Sequence, residues 1–516
     1  MPPNTTIYSH DERNALLRAD HEIPPLIGDV LALLAGATLP LAFAPYGWWP
    51  LSIVALAVLF RCWVDITAKR AWWRGWLFGL GMFGIGIAWV QISVHQFGLP
   101  ILAFSVSVTA LLVMFMALYP ALAGYLIARW NIESNTMRFL VVMPAVWTLC
   151  EWLRAWLFTG FPWLSVGYAH VDSPLSAFAP IGGVFAVSLV AAMVAGAVVL
   201  LLYNYRVALV AFVSVWVIAR LASLSNWTHI EGQPLKVALV QGGIEQSQKW
   251  DPGLKDRTLA LYEKLTEGYW GGAKIIVWPE TAIPAFGSEV KEFLTSLADR
   301  AQRSGTDILL GVPVDERDNN GHIQDYYNSI VTLGSNIARY DKRHLVILGE
   351  YPPFKDILMP ILRSLSIPMS EFSTGTTTQE PLQAAGLKLA PSICFEDAFG
   401  NELIDFLPDA RLLVNVSNDA WFGDSMAPHQ HLQIARMRAL ETGRYLLRAT
   451  NNGISAIIDE HGRVIAKSPQ FIAHVLTAEV QPRNGATPYV AIGNALIVSI
   501  CSVMLAFAWI WVRLRS

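Results

Sequence analysis

Charged residues are scarce in this sequence, and their scarcity limits the classes of protein to which it can belong. Only 15% of its 516 residues are Asp, Glu, Lys or Arg, whereas 54% are hydrophobic. A soluble domain usually carries about 25% charged residues, so we infer that part of the chain lies in a lipid bilayer. The formal net charge is −3, so the chain lacks the positive excess that is typical of nucleic-acid-binding proteins.

Cysteine is also scarce, with four residues in the chain. Cys62, Cys150 and Cys501 fall within long apolar stretches, and Cys394 is the only cysteine between residues 223 and 487. A disulfide within that block is therefore excluded. A lone thiol has two interpretations: it is either buried and inert or needed for its chemistry.

Long apolar runs account for most of the hydrophobic residues. They cover residues 28–45, 48–64, 76–96, 100–128, 139–158, 181–203, 206–222 and 489–512. Each approaches or exceeds the ~20 residues that a helix needs to cross a ~30 Å hydrocarbon core. We therefore predict seven spanning helices, then a soluble block and an eighth spanning helix. The shorter runs, 28–45 and 206–222, have an alternative interpretation as re-entrant or interfacial segments.

This pattern divides the chain into four predicted regions. They are a tail at 1–25, a membrane domain of about seven transmembrane helices at 26–222, a soluble domain at 223–487, and a last transmembrane helix with a short tail at 488–516. Residues 1–25 contain charges of both signs and no long apolar stretch. We therefore expect no cleavable signal peptide, and the first helix should remain as an anchor.

Lysine and arginine are distributed unevenly among the segments that connect the predicted helices. If the N-terminus lies inside, the inner segments contain Arg13, Arg18, Lys69, Arg70, Arg74, Arg129, Arg138, Arg206, Arg513 and Arg515. The outer segments near 45–48, 97–99 and 159–180 contain no Lys or Arg. Because cytoplasmic connections are enriched in these residues, we predict cytoplasmic tails and a soluble domain on the outer side.

The soluble block alternates short apolar strands with helical stretches, which predicts an α/β or mixed α+β fold. The strand candidates are 236–241, 274–278, 307–312, 386–394, 411–417, 444–450 and 453–459. The helical stretches are 253–269, 287–304 and 429–443. In such folds, the loops that follow strand ends usually carry the chemistry.

Three polar residues lie at such strand ends. Glu280 ends the segment KIIVWPE, Lys342 follows the strand-like stretch ARYD, and Cys394 ends LAPSIC. A carboxylate, an ammonium and a thiol suit acyl transfer through a thioester. The carboxylate would act as general base, and the ammonium would stabilise the thiolate and the oxyanion. Taken singly, each residue also has a structural interpretation, as a turn residue, a surface charge or an inert thiol.

Several segments of this block resemble the nitrilase (carbon–nitrogen hydrolase) superfamily. They are VALVQGG and QKW within 237–250, VWPETAIP at 277–284, YDKRHLVILGEYPP at 340–353, SICFED at 392–397, and the long segment 415–459. With seven predicted spans before the block and one after it, the chain is similar to the apolipoprotein N-acyltransferase family. The resemblance implies an α/β domain of the αββα sandwich type and a catalytic triad of Glu280, Lys342 and Cys394.

The resemblance also assigns supporting roles and reveals departures from the family pattern. The supporting motif residues fall on Glu350, Glu396, Asn328 and Trp250. This chain has Ile347-Leu348 where the family usually has Pro-Phe, Phe395 where it usually has Tyr, and Gly243 where it usually has Asn. These departures leave the three triad residues unchanged. They are expected to affect the shape of the loop beside the triad.

The resemblance implies acyl transfer in two steps. A membrane phospholipid would give an acyl chain to the thiol. The N-terminal amine of a diacylglyceryl-cysteine apolipoprotein would then take it from the thioester, in the final step of lipoprotein maturation. No cofactor is expected. The implied protein is a monomeric, multi-pass protein of the bacterial inner membrane whose catalytic domain faces the periplasm. Two alternatives remain: a membrane-tethered amidase with water as acceptor, and a non-enzymatic lipid-binding protein.

Three further features lead to hypotheses about binding. The amphipathic segment 354–370 is expected to form either a lid at the membrane interface or a helix packed on its own domain. Trp163 and Trp421 are candidates for substrate contact, with helix anchoring and core packing as the respective alternatives. His429 and His431 are not expected to bind a metal. Side chains at i and i+2 of a helix diverge, and the sequence shows no carboxylate that completes a ligand set.

Overall fold

The computed structural model describes residues 23–130, 132–318, 320–352, 356, 359–360 and 371–515. In this part the chain forms a set of apolar helices and an α/β domain. Most of the amphipathic segment 354–370 and most of the tail 1–25 lie outside the described residues. The predictions for those two segments therefore remain predictions.

The N-terminal part is almost entirely helical. Its main helices are α1 (Pro25–Thr38), α2 (Pro50–Cys62), α3 (Ala68–Gly86), α4 (Val90–Phe97), α5 (Leu102–Met116), α6 (Leu118–Arg129), α7 (Met143–Arg154), α8 (Ala179–Leu200) and α9 (Tyr205–Ala222). Many of their large apolar side chains are exposed, among them Leu26, Leu111 and Val210. Extensive apolar surface on helices is typical of segments that face hydrocarbon, where a helix satisfies its own backbone.

The described residues contain six helical stretches long and apolar enough to cross a membrane. Helices α3 and α4 pass the same test only together, with a bend of 57° between them, and α2 has 13 residues. The two runs with an alternative interfacial interpretation form helical stretches of sufficient length, Pro25–Ala42 and Tyr205–Ala222. The total of eight spans and the domain boundaries stay predictions.

Two glycines permit the close approach of α3 to the region of α6. A Cβ atom on Gly75 would lie 2.3 Å from the carbonyl oxygen of Pro120, and one on Gly79 would lie 2.5 Å from the Cα of Ala117. Both distances are too short for carbon and oxygen atoms that are not bonded. Larger side chains would therefore force the helices apart, as is usual for a GxxxG pattern.

The α/β domain is built on two large sheets. The described strands are β1 (Thr228–Ile230), β2 (Leu235–Gln241), β3 (Ile275–Val277), β4 (Asp307–Arg317), β5 (Ile323–Leu333), β6 (Ala338–Asp341), β7 (Leu382–Ala384), β8 (Leu387–Ile393), β9 (Leu412–Ser417), β10 (Leu446–Thr450), β11 (Ala456–Ile458), β12 (Val464–Lys467), β13 (His474–Val480) and β14 (Arg483–Gly485). One six-stranded sheet has the order β13-β2-β3-β4-β5-β6, and the other has the order β12-β11-β10-β9-β8-β7. The remaining strands, β1 and β14, pair with each other.

The two six-stranded sheets pack face to face around a shared core. Val237 and Leu309 from the first sheet and Leu389 and Val414 from the second are fully buried in it. In the middle of each sheet the neighbouring strands are parallel, β2 with β3 and β4 in the first and β8 with β9 and β10 in the second. The ends of several strands therefore point to one edge of the sandwich, which is where parallel sheets usually place their sites.

Helices cover the outer faces of both sheets. They are α10 (Lys255–Thr266), α11 (Lys291–Ser304) and α12 (Ala427–Thr442), and α13 (Ala495–Arg515) follows the domain. Tyr262 of α10 and Leu297 of α11 pack on the first sheet, and Ala435 and Ala439 of α12 join the core on the side of the second. These layers form an αββα sandwich, so the predicted fold class is confirmed.

The structure confirms the seven strand candidates, and the sequence pattern missed others. The longest of these is β5, whose first five residues are exposed or half-buried and whose last six are mostly buried. Its polar beginning, IQDYYN, interrupts the apolar alternation by which a strand is recognised. The edge strand β13 was also missed, although its exposed Thr477 and Glu479 alternate with buried or half-buried apolar residues, the pattern that is typical of a half-buried strand.

Helix α12 also joins the α/β domain to the apolar helices. The side-chain oxygen of Gln430 accepts hydrogen bonds from the indole N–H groups of Trp89, at 3.1 Å, and Trp163, at 2.7 Å. Its side-chain nitrogen donates to the carbonyl oxygen of Gly86 at 3.2 Å. One buried carboxamide thus connects three backbone segments that are distant in sequence, and its hydrogen-bonding capacity is largely used.

We predict that Gln430→Leu lowers the stability of the whole chain. The change leaves two buried indole N–H groups and one carbonyl oxygen without partners, and each such group costs about 1–3 kcal/mol. Thermal unfolding in detergent micelles should show a lower melting temperature than that of the wild type. The control Gln302→Leu lies on the exposed side of α11 and should melt as the wild type does. An unchanged melting temperature for Gln430→Leu would show that these hydrogen bonds contribute little.

Candidate active site

Each of the three candidate catalytic residues follows a strand. Glu280 lies three residues after β3, Lys342 directly follows β6, and Cys394 directly follows β8. The first two belong to one sheet and the third to the other, so the site lies where the two sheets meet. The Nζ atom of Lys342 is 3.7 Å from Oε1 of Glu280, and the charges of both residues act on the thiol of Cys394. The structure therefore brings the three predicted residues together.

Lys342 is held between carboxylates in the interior of the domain. Its side chain is 1% exposed, and Nζ donates a hydrogen bond to Oε1 of Glu350 at 2.8 Å. The side-chain nitrogen of Asn328 donates to Oε1 of Glu280 at 2.7 Å and to Oε1 of Glu350 at 3.1 Å. The same amide thus orients both carboxylates. Two of the predicted supporting residues, Asn328 and Glu350, are in direct contact with the lysine or the candidate base.

The charge on Lys342 is strongly favoured by these neighbours. Burial alone would lower the pKa of Lys342, but the negative charges of Glu350 and Glu280 outweigh it and raise the pKa above that of an ordinary lysine. An ammonium buried without a partner would be costly, and here it faces two carboxylates. The lysine is therefore a permanent cation, suited to stabilise negative charge that develops on a substrate oxygen.

Cys394 occupies a strained turn at the end of β8. Its φ angle is +52°, in the left-handed region that residues with a Cβ atom rarely adopt. Its carbonyl oxygen faces Nδ2 of Asn415 at 3.3 Å and Nε2 of His431 at 3.2 Å. These contacts fix the backbone of the turn from the side of β9 and α12, and the conformation of Cys394 depends on them.

The surroundings of Cys394 disfavour the thiolate. Burial raises the pKa of the thiol, the charge of Glu280 raises it further, and the charge of Lys342 lowers it by less. The pKa of the thiol therefore lies above the ordinary value near 8.5. Sequence reasoning expected Lys342 to stabilise a thiolate. In the structure this effect is outweighed, so attack by the sulfur requires that its proton move to a base at the same time.

Glu396 connects the turn of Cys394 to the loop that follows Lys342. One of its oxygens accepts hydrogen bonds from the backbone N–H groups of Arg343, at 2.6 Å, and His344, at 3.1 Å. The other accepts from the backbone N–H of Ile393 at 2.7 Å. Burial raises the pKa of Glu396, and the charge of Lys342 and these hydrogen bonds oppose the rise. Glu396 thus has a positioning role, as a brace between the two sheets.

Sequence reasoning missed Lys249, the neighbour of the predicted supporting residue Trp250, whose role stays a prediction. The side chain of Lys249 is buried, and its Nζ donates to the backbone carbonyl of Glu280 at 3.0 Å. Burial lowers its pKa to about 8, although the charges of Glu280 and Cys394 oppose this effect. Trp250 is 51% exposed. The clue in the sequence is the position of Lys249 next to a motif residue, which does not by itself reveal that the lysine points inward.

His431 belongs to a buried ionic network, which the sequence did not reveal. Its Nδ1 lies 3.0 Å from Asp419 and its Nε2 lies 2.9 Å from Asp397, and Arg448 pairs with both carboxylates. Asp397 and Asp419 lie outside α12, so the periodicity of that helix did not show them beside His431. The expectation that His429 and His431 bind no metal stays a prediction. Burial and Arg448 lower the pKa of His431, but the two aspartates raise it to about 9, so the ring is a cation.

Aromatic side chains surround the turn of Cys394. Phe395 stacks on Trp163, with ring centroids 6.2 Å apart, and meets Phe399 edge-on at 5.1 Å. Trp163 is almost fully buried. Trp421 is half-buried and packs on Phe97 of α4 at 4.7 Å. Both tryptophans therefore lie between the α/β domain and the apolar helices, and their predicted contact with substrate remains a prediction.

Two departures from the family pattern have simple structural reasons. Gly243 has a φ angle of +66°, and a Cβ atom there would lie 2.6 Å from the backbone carbonyl carbon of Ile472, so glycine fits without the backbone shift that asparagine would require. The ring of Phe395 makes its contacts with aromatic rings, and these need no hydroxyl. The third departure, Ile347-Leu348, lies in a partly exposed loop and has no evident structural reason.

Comparisons with known proteins identify relatives of this chain. Residues 236–489 match the family model of the carbon–nitrogen hydrolases, and residues 35–197 match that of the apolipoprotein N-acyltransferase N-terminal domain. The apolipoprotein N-acyltransferase of Methylococcus capsulatus is 46% identical over 92% of this chain and 94% of its own length. That of Coxiella burnetii is 38% identical over 94% of this chain and 100% of its own. Among solved structures, the C. elegans NitFhit protein covers 50% of this chain and 62% of its own, with 16% identity and a TM-score of 0.38.

The α/β domain is therefore a carbon–nitrogen hydrolase domain, which carries a carboxylate, an ammonium and a thiol at the ends of its strands. The helices that precede it match a different family model, and the relatives cover nearly the whole chain. The chain belongs to the apolipoprotein N-acyltransferase family.

We predict that Asn328→Leu slows formation of the acyl-enzyme by about 10- to 100-fold, the effect expected when catalytic groups are misplaced by about 1 Å. The change removes the amide that holds Glu280 and Glu350 in place, and it leaves their charges intact. Single-turnover mass measurements with phospholipid alone would give the rate. The exposed Asn320→Leu serves as the control. An unchanged rate for Asn328→Leu would show that the lysine alone suffices to position the carboxylates.

We also predict the direction of a pH effect on Cys394. The charge of Glu280 raises the pKa of the thiol, so Glu280→Gln should shift alkylation of Cys394 by iodoacetamide to lower pH. Peptide mass spectrometry measures this shift after timed alkylation between about pH 6 and pH 11. These values cover about 5 units around the ordinary thiol pKa. The exposed Glu292→Gln should leave the profile unchanged. A shift to higher pH in Glu280→Gln would contradict the assigned interaction.

Proposed function

We propose that this chain transfers an acyl chain from a membrane phospholipid, through a thioester on Cys394, to the N-terminal amine of a diacylglyceryl-cysteine apolipoprotein. Lipoprotein N-acylation is the activity of the named relatives, which cover almost all of the chain. The observation that carries the residue assignment is the convergence of Glu280, Lys342 and Cys394 at one buried site. The hydrolase and lipid-binding alternatives are not favoured by these relatives.

In the first half-reaction, the sulfur of Cys394 attacks the ester carbonyl of the phospholipid while Glu280 takes the thiol proton. This coupling follows from the raised pKa of the thiol, because a free thiolate is disfavoured at this position. The ammonium of Lys342 stabilises the oxyanion of the tetrahedral intermediate. The carbon–oxygen bond then breaks, Glu280 returns the proton to the leaving oxygen, and a lysophospholipid departs.

In the second half-reaction, the α-amine of the acceptor attacks the thioester. Glu280 accepts a proton from the attacking nitrogen, and Lys342 again stabilises the oxyanion. When the carbon–sulfur bond breaks, the proton on Glu280 passes to the sulfur and restores the thiol. The amide product keeps the acyl chain. A thioester reacts readily with an amine, so the exchange needs no other source of energy.

We further propose that the α/β domain faces the periplasm and that the protein works as a monomer in the inner membrane. Contacts support the proposed orientation. The N–H of Ala44 donates to Gln433 at 3.0 Å, and Arg436 pairs with Asp172. The domain therefore touches the connections near 45–48 and 159–180, which contain no Lys or Arg. By the positive-inside rule these connections lie outside the cytoplasm, and the domain that touches them lies on the same side.

We predict that wild-type protein incubated with phospholipid alone gains the mass of one acyl chain at Cys394, and that Cys394→Ser does not accumulate a thioester. Intact and peptide mass spectrometry measure both. The control Cys62→Ser changes a thiol within an apolar helix and should acylate as the wild type does. Acylation that persists in Cys394→Ser, or that occurs at another residue, would contradict the assignment of the nucleophile.

A second arm of the same experiment separates transfer from hydrolysis. After addition of a diacylglyceryl peptide with a free N-terminal amine, the acyl mass should leave the enzyme and appear on the peptide as an amide. Free fatty acid as the sole product would instead support an amidase-type hydrolase.

A further inference from the structure

Lys249 is a buried lysine with no assigned part in the two half-reactions. It is 4% exposed, and its Nζ donates a hydrogen bond to the backbone carbonyl oxygen of Glu280 at 3.0 Å. Lys342 pairs with Glu280 and Glu350, whereas no ion pair joins Lys249 to a carboxylate in the part of the chain that the structure describes. A buried ammonium without such a partner lowers the stability of the fold. Its contact with the backbone of the candidate base therefore calls for an explanation beyond packing.

The carbonyl that Lys249 contacts belongs to a strained turn. The next residue, Thr281, has a φ angle of +47°, in the left-handed region that residues with a Cβ atom rarely adopt. Such a conformation persists only where the surroundings hold it in place. On one side the turn lies directly on β4, because a Cβ atom on Gly311 would be 2.5 Å from the nitrogen of Thr281 and 2.7 Å from the Cα of Glu280. Lys249 holds the same peptide from another segment of the chain.

The loop that carries Lys249 is fixed by the second sheet. Lys249 ends a short helix that begins at Gln246, and the side-chain oxygen of Gln246 accepts a hydrogen bond from Nδ2 of Asn418 at 2.6 Å. The side chain of Asn451 donates to the carbonyl oxygen of Ile244 at 2.7 Å and accepts from its N–H at 3.2 Å. Asn418 directly follows β9 and Asn451 directly follows β10. The ends of these two strands therefore determine where the loop lies.

These hydrogen bonds form a path from the sheet of the nucleophile to the base. Strands β8, β9 and β10 are parallel neighbours, so Cys394, Asn418 and Asn451 follow them at the same edge of the second sheet. Glu280 belongs to the first sheet. Through Lys249, the backbone position of Glu280 depends on the strand ends beside Cys394. General-base catalysis requires this kind of dependence, because the base must lie within hydrogen-bond reach of the proton that it takes.

We propose that Lys249 is a positioning residue for the acyl transfer: it holds the backbone of Glu280 and thereby fixes the carboxylate relative to the sulfur of Cys394. The proposal rests on the function proposed above. Asn328 and Lys342 contact the carboxylate at the tip of the Glu280 side chain, whereas Lys249 holds the backbone from which that side chain starts. A charged donor suits this task, since an ammonium forms a stronger hydrogen bond to a carbonyl than a neutral group does.

The test replaces Lys249 by methionine, an unbranched side chain of similar length without a donor or a charge. Lys264→Met makes the same change at an exposed position of α10 and serves as the control. Single-turnover acylation over a range of phospholipid concentrations gives the maximum rate and the half-saturating concentration. We expect Lys249→Met to lower the maximum rate by about 10- to 100-fold. The half-saturating concentration should match that of the control, because the base is misplaced while phospholipid binds as before.

Hydrogen exchange examines the turn without any reaction. The N–H groups of Ala282 and Ile283 are hydrogen-bonded within the turn and to β4, so their exchange reports whether the turn is held. In Lys249→Met the segment 279–283 should exchange faster than in the control, and β10 should exchange at the same rate in both. A change confined to the turn indicates the loss of a local contact, because a general loss of stability would also increase exchange in β10.

Three outcomes overturn the inference. Acylation of Lys249→Met at the rate of Lys264→Met would show that the contact does not affect the base. A raised half-saturating concentration with an unchanged maximum rate would assign Lys249 to phospholipid binding, and faster exchange in both segments would assign it to the stability of the fold. Wild-type protein that never forms the acyl-enzyme would instead overturn the proposed function. Exchange at 279–283 would then still decide whether Lys249 holds the turn, so the two failures are distinguished.

Discussion

The ammonium of Lys342 between Glu350 and Glu280 is the interaction on which the rest of the site depends. A buried cation is tolerated only when it is paired and hydrogen-bonded, so its presence fixes the two carboxylates and the amide of Asn328 that orients them. Glu280 then has a defined place beside the sulfur of Cys394. Burial of the sulfur and the charge of Glu280 raise the pKa of the thiol, and the charge of Lys342 lowers it by less.

The same site is tied to the membrane helices through α12. One face of this helix packs on the sheet that ends in Cys394, where His431 contacts the carbonyl of the nucleophile. The other face carries Gln430, which binds the indoles of Trp89 and Trp163. Helix α12 therefore contacts both the turn of Cys394 and the indoles of Trp89 and Trp163, so a short path of buried hydrogen bonds joins the nucleophile to the apolar helices.

Much of the site could be predicted because its combination of residue types is typical of one kind of chemistry. A carboxylate, a lysine and a lone thiol at strand ends pointed to thioester chemistry, and resemblance added Asn328, Glu350 and Glu396. Lys249 was missed because a lysine in a polar loop normally points to solvent. In the structure it turns inward to the carbonyl of Glu280, a contact that depends on how the two segments pack.

The sequence by itself determined the division into apolar helices and an α/β domain, since the length of apolar runs and the period of apolar residues are local properties. It also determined which residue types are available for catalysis. Only the tertiary structure decided the direction in which the pKa of Cys394 is shifted, the pairing of His431 with Asp397 and Asp419, and the presence of a cavity beside Phe399. These features depend on distances between segments far apart in the chain, and both burial and Coulomb energy are set by those distances.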